Sequence, residues 1–64
     1  MKRTEIAAKA VVDEYLRSKD LIKFVVSISE YSSFFGRYNR NSRLCFLEAL
    51  KREIGERILT EVKT

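Results

Sequence analysis

The chain contains no proline, no histidine and no tryptophan, a single cysteine, Cys45, and two glycines, Gly36 and Gly55. A single cysteine excludes an intrachain disulfide, and without histidine it leaves a tetrahedral zinc site no ligand set. The missing histidine also removes the usual base for a cysteine or serine nucleophile. The acidic residues stand singly or at ion-pair spacing, which suggests neither a carboxylate metal site nor an acid/base dyad. We therefore expect no enzyme and no cofactor. Scarce turn residues favour helices over a turn-rich β architecture. The longest uncharged stretch, around Tyr31 to Gly36, is broken by serines and falls far short of the ~20 apolar residues that span a bilayer. Glu5 and Lys9 interrupt any apolar signal core after Met1-Lys2-Arg3. The expectation is a cytoplasmic protein with no membrane association.

Sixty-four residues, 45% apolar and 34% charged, make one small folded domain, 1–64. A chain this short buries only about 60% of the surface it exposes when unfolded. Ordering it costs on the order of 1.5 kcal/mol per residue, so little stability is left over. With disulfides and zinc excluded, oligomerisation is the remaining remedy, and a homodimer is expected.

The pattern reads as an all-α hairpin or bundle of two or three helices, completed by homodimerisation. Thr4 is a plausible cap for a first helix in which Ala8, Val11, Val12, Tyr15 and Leu16 recur at helical spacing. Ser18-Lys19-Asp20 either breaks the helix, with Asp20 capping the next, or forms a polar patch on one long helix. Residues 21–28 are rich in β-branched side chains and alternate like a strand. Leu21, Phe24, Val25, Ile28, Tyr31 and Phe35 fit a helix better, ending at Gly36. A last helix, capped by Asn41 or Ser42, carries the stripe Leu47, Leu50, Ile54, Ile58 and Val62, expected to be interior. Glu5 with Lys9, Asp13 with Arg17, Glu48 with Arg52 and Glu53 with Arg57 are acid-before-base pairs four residues apart. Gly55, costing up to ~1 kcal/mol inside a helix, suggests the close approach of another helix, or is simply tolerated.

The charge is uneven. The chain has 13 basic and 9 acidic residues, yet Tyr31 to Leu47 holds Arg37, Arg40 and Arg43 and no acid. Around them run Phe34, Phe35, Tyr38, Asn39, Asn41 and Ser42. Guanidinium groups can hold phosphates, an exposed Tyr38 ring can stack on a base, and the amides and hydroxyl can hydrogen-bond near a helix N-terminus. Arg37, Tyr38, Asn39, Arg40, Asn41, Ser42 and Arg43 are thus the candidate nucleic-acid-binding residues, read as an interhelical connection from Gly36 to Asn41. The bland reading is a solvated loop with the phenylalanines in the core. A helix-turn-helix fits poorly, because that connection exceeds three or four residues and puts Arg37 where an apolar residue belongs. Lys2, Arg3 and Lys63 read as terminal solubilising charges, and Cys45 as a small buried hydrophobe.

The stretch from Phe34-Phe35 through Asn41 to Phe46-Leu47-Glu48 and Glu53-Ile54 resembles the helical hairpin of the small sporulation-checkpoint kinase inhibitors. It spans about a third of the chain. The first twenty residues have no counterpart there, and the arginine-rich segment departs from that family's pattern. The resemblance implies a helical module that binds an enzyme. Two functional expectations follow. One is a small basic regulatory or accessory protein that binds DNA or RNA. The other is a non-enzymatic protein-binding module, an inhibitor or adaptor, that sets the same basic surface against an acidic protein surface.

Overall fold

A computed structural model describes residues 2–60. Three helices, α1 (Arg3–Ser18), α2 (Leu21–Tyr38) and α3 (Arg40–Glu53), follow one another with minimal joints, and α3 continues into a π-helical turn, Ile54–Ile58. No strand occurs among the described residues. Val62, the last member of the expected apolar stripe, and Lys63 lie outside them.

Helix α1 starts earlier than the sequence suggests. Lys2 holds the cap position without a side-chain bond, and Thr4 is instead buried in the first turn. Ser18-Lys19-Asp20 is a true break. The Lys19 backbone is left-handed (φ 58°, ψ 22°), and its N–H donates to the Tyr15 carbonyl at 2.7 Å. Asp20 then caps α2, its Oδ1 accepting from the Lys23 N–H at 3.0 Å. Residues 21–28 are helical, so Phe24 and Ile28 share the inner side with Phe35.

Gly36 does not end α2, and this corrects the expected connection. The helix runs on to Tyr38 because one residue, Asn39, serves both helix ends. Its N–H donates to the Phe35 carbonyl at 3.3 Å, and its Oδ1 accepts from the Ser42 N–H at 2.8 Å. Asn39 is therefore the cap of α3, in place of Asn41 or Ser42. Its extended backbone (φ −172°, ψ 165°) turns the chain within a single residue. The expected Gly36–Asn41 loop does not exist.

Helix α3 lies against both other helices, while α1 and α2 touch each other less. The core consists of Ala7, Ala8, Val11 and Val12 from α1, Phe46, Ala49 and Leu50 from α3, and Phe35 alone from α2. Phe46 and Val12 are completely enclosed. Small side chains at Ala7, Ala8 and Ala49 suit a close α1–α3 approach, since the contact residues set interaxial distance. Leu50 is interior as expected, but Leu47, Ile54 and Ile58 are only half-buried at its margin. The reason is that α3 is flanked on two sides, which centres its buried stripe on Phe46, Ala49 and Leu50.

Gly55 faces open space: a Cβ there would meet nothing within 4 Å, so no helix among the described residues approaches it. It sits in the wide turn, where the Leu59 N–H donates to the Ile54 carbonyl. Ion pairs also follow tertiary packing more than local spacing. Of the four expected pairs only Glu53–Arg57 forms among the described residues, at 3.4 Å. Arg57 also reaches Asp13 across to α1, and Arg17 turns to Glu14. Glu14 in turn takes a bond from Lys23 Nζ at 3.0 Å, tying α1 to α2.

Candidate functional site

The seven candidate residues cluster where α2 meets α3. Arg37 and Tyr38 form the end of α2, Asn39 is the corner, and Arg40 to Arg43 make the first turn of α3. Tyr38 is 64% exposed, and its ring stands edge-on to Phe34 with centroids 5.6 Å apart. Phe34 in turn meets Phe35 edge-on at 5.4 Å. A run of aromatic rings therefore leads from the enclosed Phe35 and Phe46 out to an exposed tyrosine. Such a ring is anchored by packing and still presents surface for stacking.

The candidate residues divide into two groups. Tyr38, Asn39, Asn41 and Ser42 line one concavity of about 470 Å³, and Lys2, Arg3 and Thr4 form its other wall. The start of α1 and the start of α3 thus converge on one hollow. First-turn N–H groups give a helix N-terminus a partial positive charge of roughly half an elementary unit. Two such termini, with Lys2 and Arg3 beside them, make the hollow favourable for an anion. Reading Lys2 and Arg3 as solubilising charges misses this. Their separation in sequence from Asn41 gives no local signal, and only the packing of α1 on α3 brings them together.

The three arginines do not share that hollow. Arg37 borders a second depression with Glu30, Tyr31 and Phe34. Arg43 borders a groove between α2 and α3 with Ile28, Ser32 and Leu47. Arg40 is exposed. Among the described residues none of Lys2, Arg3, Arg37, Arg40 and Arg43 forms an ion pair, whereas Arg17, Lys23 and Arg57 all do. Acidic side chains are close but lie to one side, Glu5 and Glu48 lining the next hollow with Arg52.

The hydrogen bonds assign different work to the polar residues. Asn39 Oδ1 is committed to capping. The side chains of Asn41 and Ser42 make no hydrogen bond among the described residues, so they remain available at the mouth of the hollow. Cys45 is exposed at the same rim, contrary to the expectation that it is buried. It lies one residue before Phe46, which takes the inward position on that turn of α3. No group of three histidine, cysteine or acidic side chains among the described residues is arranged to hold a metal. No described helix is long and apolar enough to cross a membrane.

No family model, curated protein or solved structure matches this chain. The likeness of Phe34 to Ile54 to the kinase-inhibitor hairpin gains no support from them.

Proposed function

We propose that this chain is a non-enzymatic, cytoplasmic regulatory or accessory protein that binds DNA or RNA as a homodimer, with the α2–α3 corner as its contact surface. The observation that carries the reading is the convergence of two helix N-termini with Lys2 and Arg3 on a hollow edged by the exposed Tyr38. A phosphate accepts hydrogen bonds from first-turn N–H groups, and the surrounding cations neutralise its charge. Arg37, Arg40 and Arg43, unpaired among the described residues, would extend the contact to neighbouring phosphates. Tyr38 would stack on an unpaired base.

The role of Asn39 in this reading is to hold the corner, while Asn41 and Ser42 supply hydrogen bonds to the ligand. The test is a titration of labelled single-stranded and duplex oligonucleotides over a range of salt. Neutralising the three arginines alone corresponds to a log–log salt slope of about −2.7 per protomer on duplex DNA, and including Lys2 and Arg3 raises it to about −4.5. We expect a slope beyond −2.7. Failure to bind either oligonucleotide at low salt removes the reading, and the same basic corner would then be set against an acidic protein surface.

A further inference from the structure

Helix α2 is the most apolar of the three helices, yet it fully buries only Phe35. Helices α1 and α3 each expose one large apolar side chain, Ile6 and Leu44. Helix α2 exposes Leu21 (60%), Ile22 (79%), Val25 (57%) and Val26 (49%) in its first half alone. The positions Ile22, Val25, Ser29, Ser32 and Gly36 follow one another at spacings of three and four, which is the seam of a helix that packs on another helix. Val26 and Ser33 flank it. None of these positions is itself charged, and against them lies the charged side chain of Arg43 of α3, whose Cδ would stand 3.4 Å from a Cβ on Gly36. Lys23, on another face of α2, is tied back to Glu14.

We propose that this strip is the interface between two copies of the chain, with the two α2 helices antiparallel about a two-fold axis at Ser29. The inference rests on the dimer half of the proposed function and is independent of nucleic-acid binding. The shape of the strip is self-complementary. The first half of the strip is a ridge of branched aliphatics, and the second half is small, with Ser29, Ser32, Ser33 and Gly36. Beside that small half runs a groove of about 430 Å³ between α2 and α3, floored by Ser32 and Ser33 and walled by Leu47 and the stem of Arg43. An axis at Ser29 sets Ile22 against the partner's Gly36, Val25 against its Ser33 and Val26 against its Ser32. Each ridge fills the other copy's groove, as an isologous contact requires. A parallel pair would oppose ridge to ridge and leave the small halves apart.

Area favours a second copy as the occupant. The accessible surface is 4843 Å², against roughly 4,200 Å² for a compact monomer of this mass. The molecule is elongated, 37 × 21 × 16 Å. The strip's three aliphatics, Ile22, Val25 and Val26, expose on the order of 300 Å² between them, and the serines, Gly36 and groove walls bring the strip towards the ~800 Å² that each partner gives a standard interface.

The experiment combines sedimentation equilibrium with cysteine cross-linking in a Cys45→Ser background. The parent should be a dimer at micromolar concentration. Ile22→Lys and Val26→Lys, both at exposed positions, should keep the helical circular dichroism and weaken the dimer by tenfold or more. Ser29→Cys should oxidise quickly to a covalent dimer. Ile22→Cys should not, because its two copies would stand about 21 Å apart along the axis. A parent that is monomeric at 100 µM or above, taken as roughly the top of a useful range, overturns the dimer and this interface together. A dimer that survives both lysine variants leaves the dimer standing and overturns the α2 face. Fast cross-linking of Ile22→Cys but not of Ser29→Cys overturns the antiparallel register.

Discussion

Asn39 shows how much one side chain carries in a short chain. It receives the end of α2 and caps α3, and no other residue separates the two helices. Asn39→Ala should cost about 1 kcal/mol, within the usual 0.5–2 range for a lost cap, and should be visible as a lower midpoint in thermal circular dichroism. Asn41→Ala, which removes no such bond, should leave the midpoint unchanged while weakening nucleic-acid binding. Tyr38→Ala should weaken single-stranded binding more than duplex binding, since stacking needs an exposed base face. Glu14 is held below its ordinary value of 4.5 by hydrogen bonds first from Lys23 and then from Arg17. A carboxyl lowered in the folded state adds stability that is fully present above pH 4.5 and is lost as pH falls through the lowered value. Because its partners Arg17 and Lys23 are exposed and water screens both pairs, the effect is small, but its sign is testable. In acid titrations followed by circular dichroism, Glu14→Gln should narrow the difference between neutral and acid stability.

Among the elements, α3 is the one on which the others depend. Phe46 is fully enclosed and Leu50 nearly so, whereas Ile54 lies at the margin. Phe46→Ala should cost about 3–5 kcal/mol and Leu50→Ala about 2–5, enough to unfold a domain of this size. Ile54→Ala should cost less than either, and chemical denaturation of the three variants checks the order. Helix α2 has the opposite character. Its inner side is held by Phe35, Tyr31 and Phe24 through ring contacts, with Phe35 and Phe46 at 5.4 Å and Tyr31 and Phe46 at 5.7 Å. Its outer side has no covering within the described chain, and for that reason substitutions there should affect association more than folding.

For the whole molecule, the basic corner and the α2 strip make linked predictions. In an antiparallel pair centred on Ser29 the two copies of Tyr38 lie about 27 Å apart along the helix axis. Nine residues turn the helix by about two and a half turns, so the two tyrosines stand on opposite outer faces of the pair, and each corner meets its own stretch of nucleic acid. The salt slope per bound site should therefore be set by one corner, and should not double when the two copies associate. Replacing Arg37, Arg40 and Arg43 with glutamine should flatten the slope and leave the midpoint nearly unchanged, because none of the three forms an ion pair among the described residues. Unchanged affinity and slope in that triple variant would dissociate the arginines from binding.

What the amino-acid order decided by itself is local. The all-helical class follows from missing proline, few glycines and apolar residues at spacings of three and four. The unbalanced basic segment can be counted directly. Each depends on interactions within a few residues, which a linear pattern records. Asp20, by contrast, was legible only as one of two alternatives, a cap or a patch on one long helix, until the left-handed Lys19 decided for the cap. The tertiary structure decided the rest. Asn39 won the cap over Asn41 and Ser42 because a whole corner, and not one helix end, had to be satisfied. Phe46 entered the core because α1 and α2 flank α3 on two sides, a direction that helical periodicity along α3 does not specify. Lys2 and Arg3 joined the site because Ala7, Ala8 and Ala49 suit a close α1–α3 approach, about forty residues away in sequence, and proximity of that kind arises only from packing.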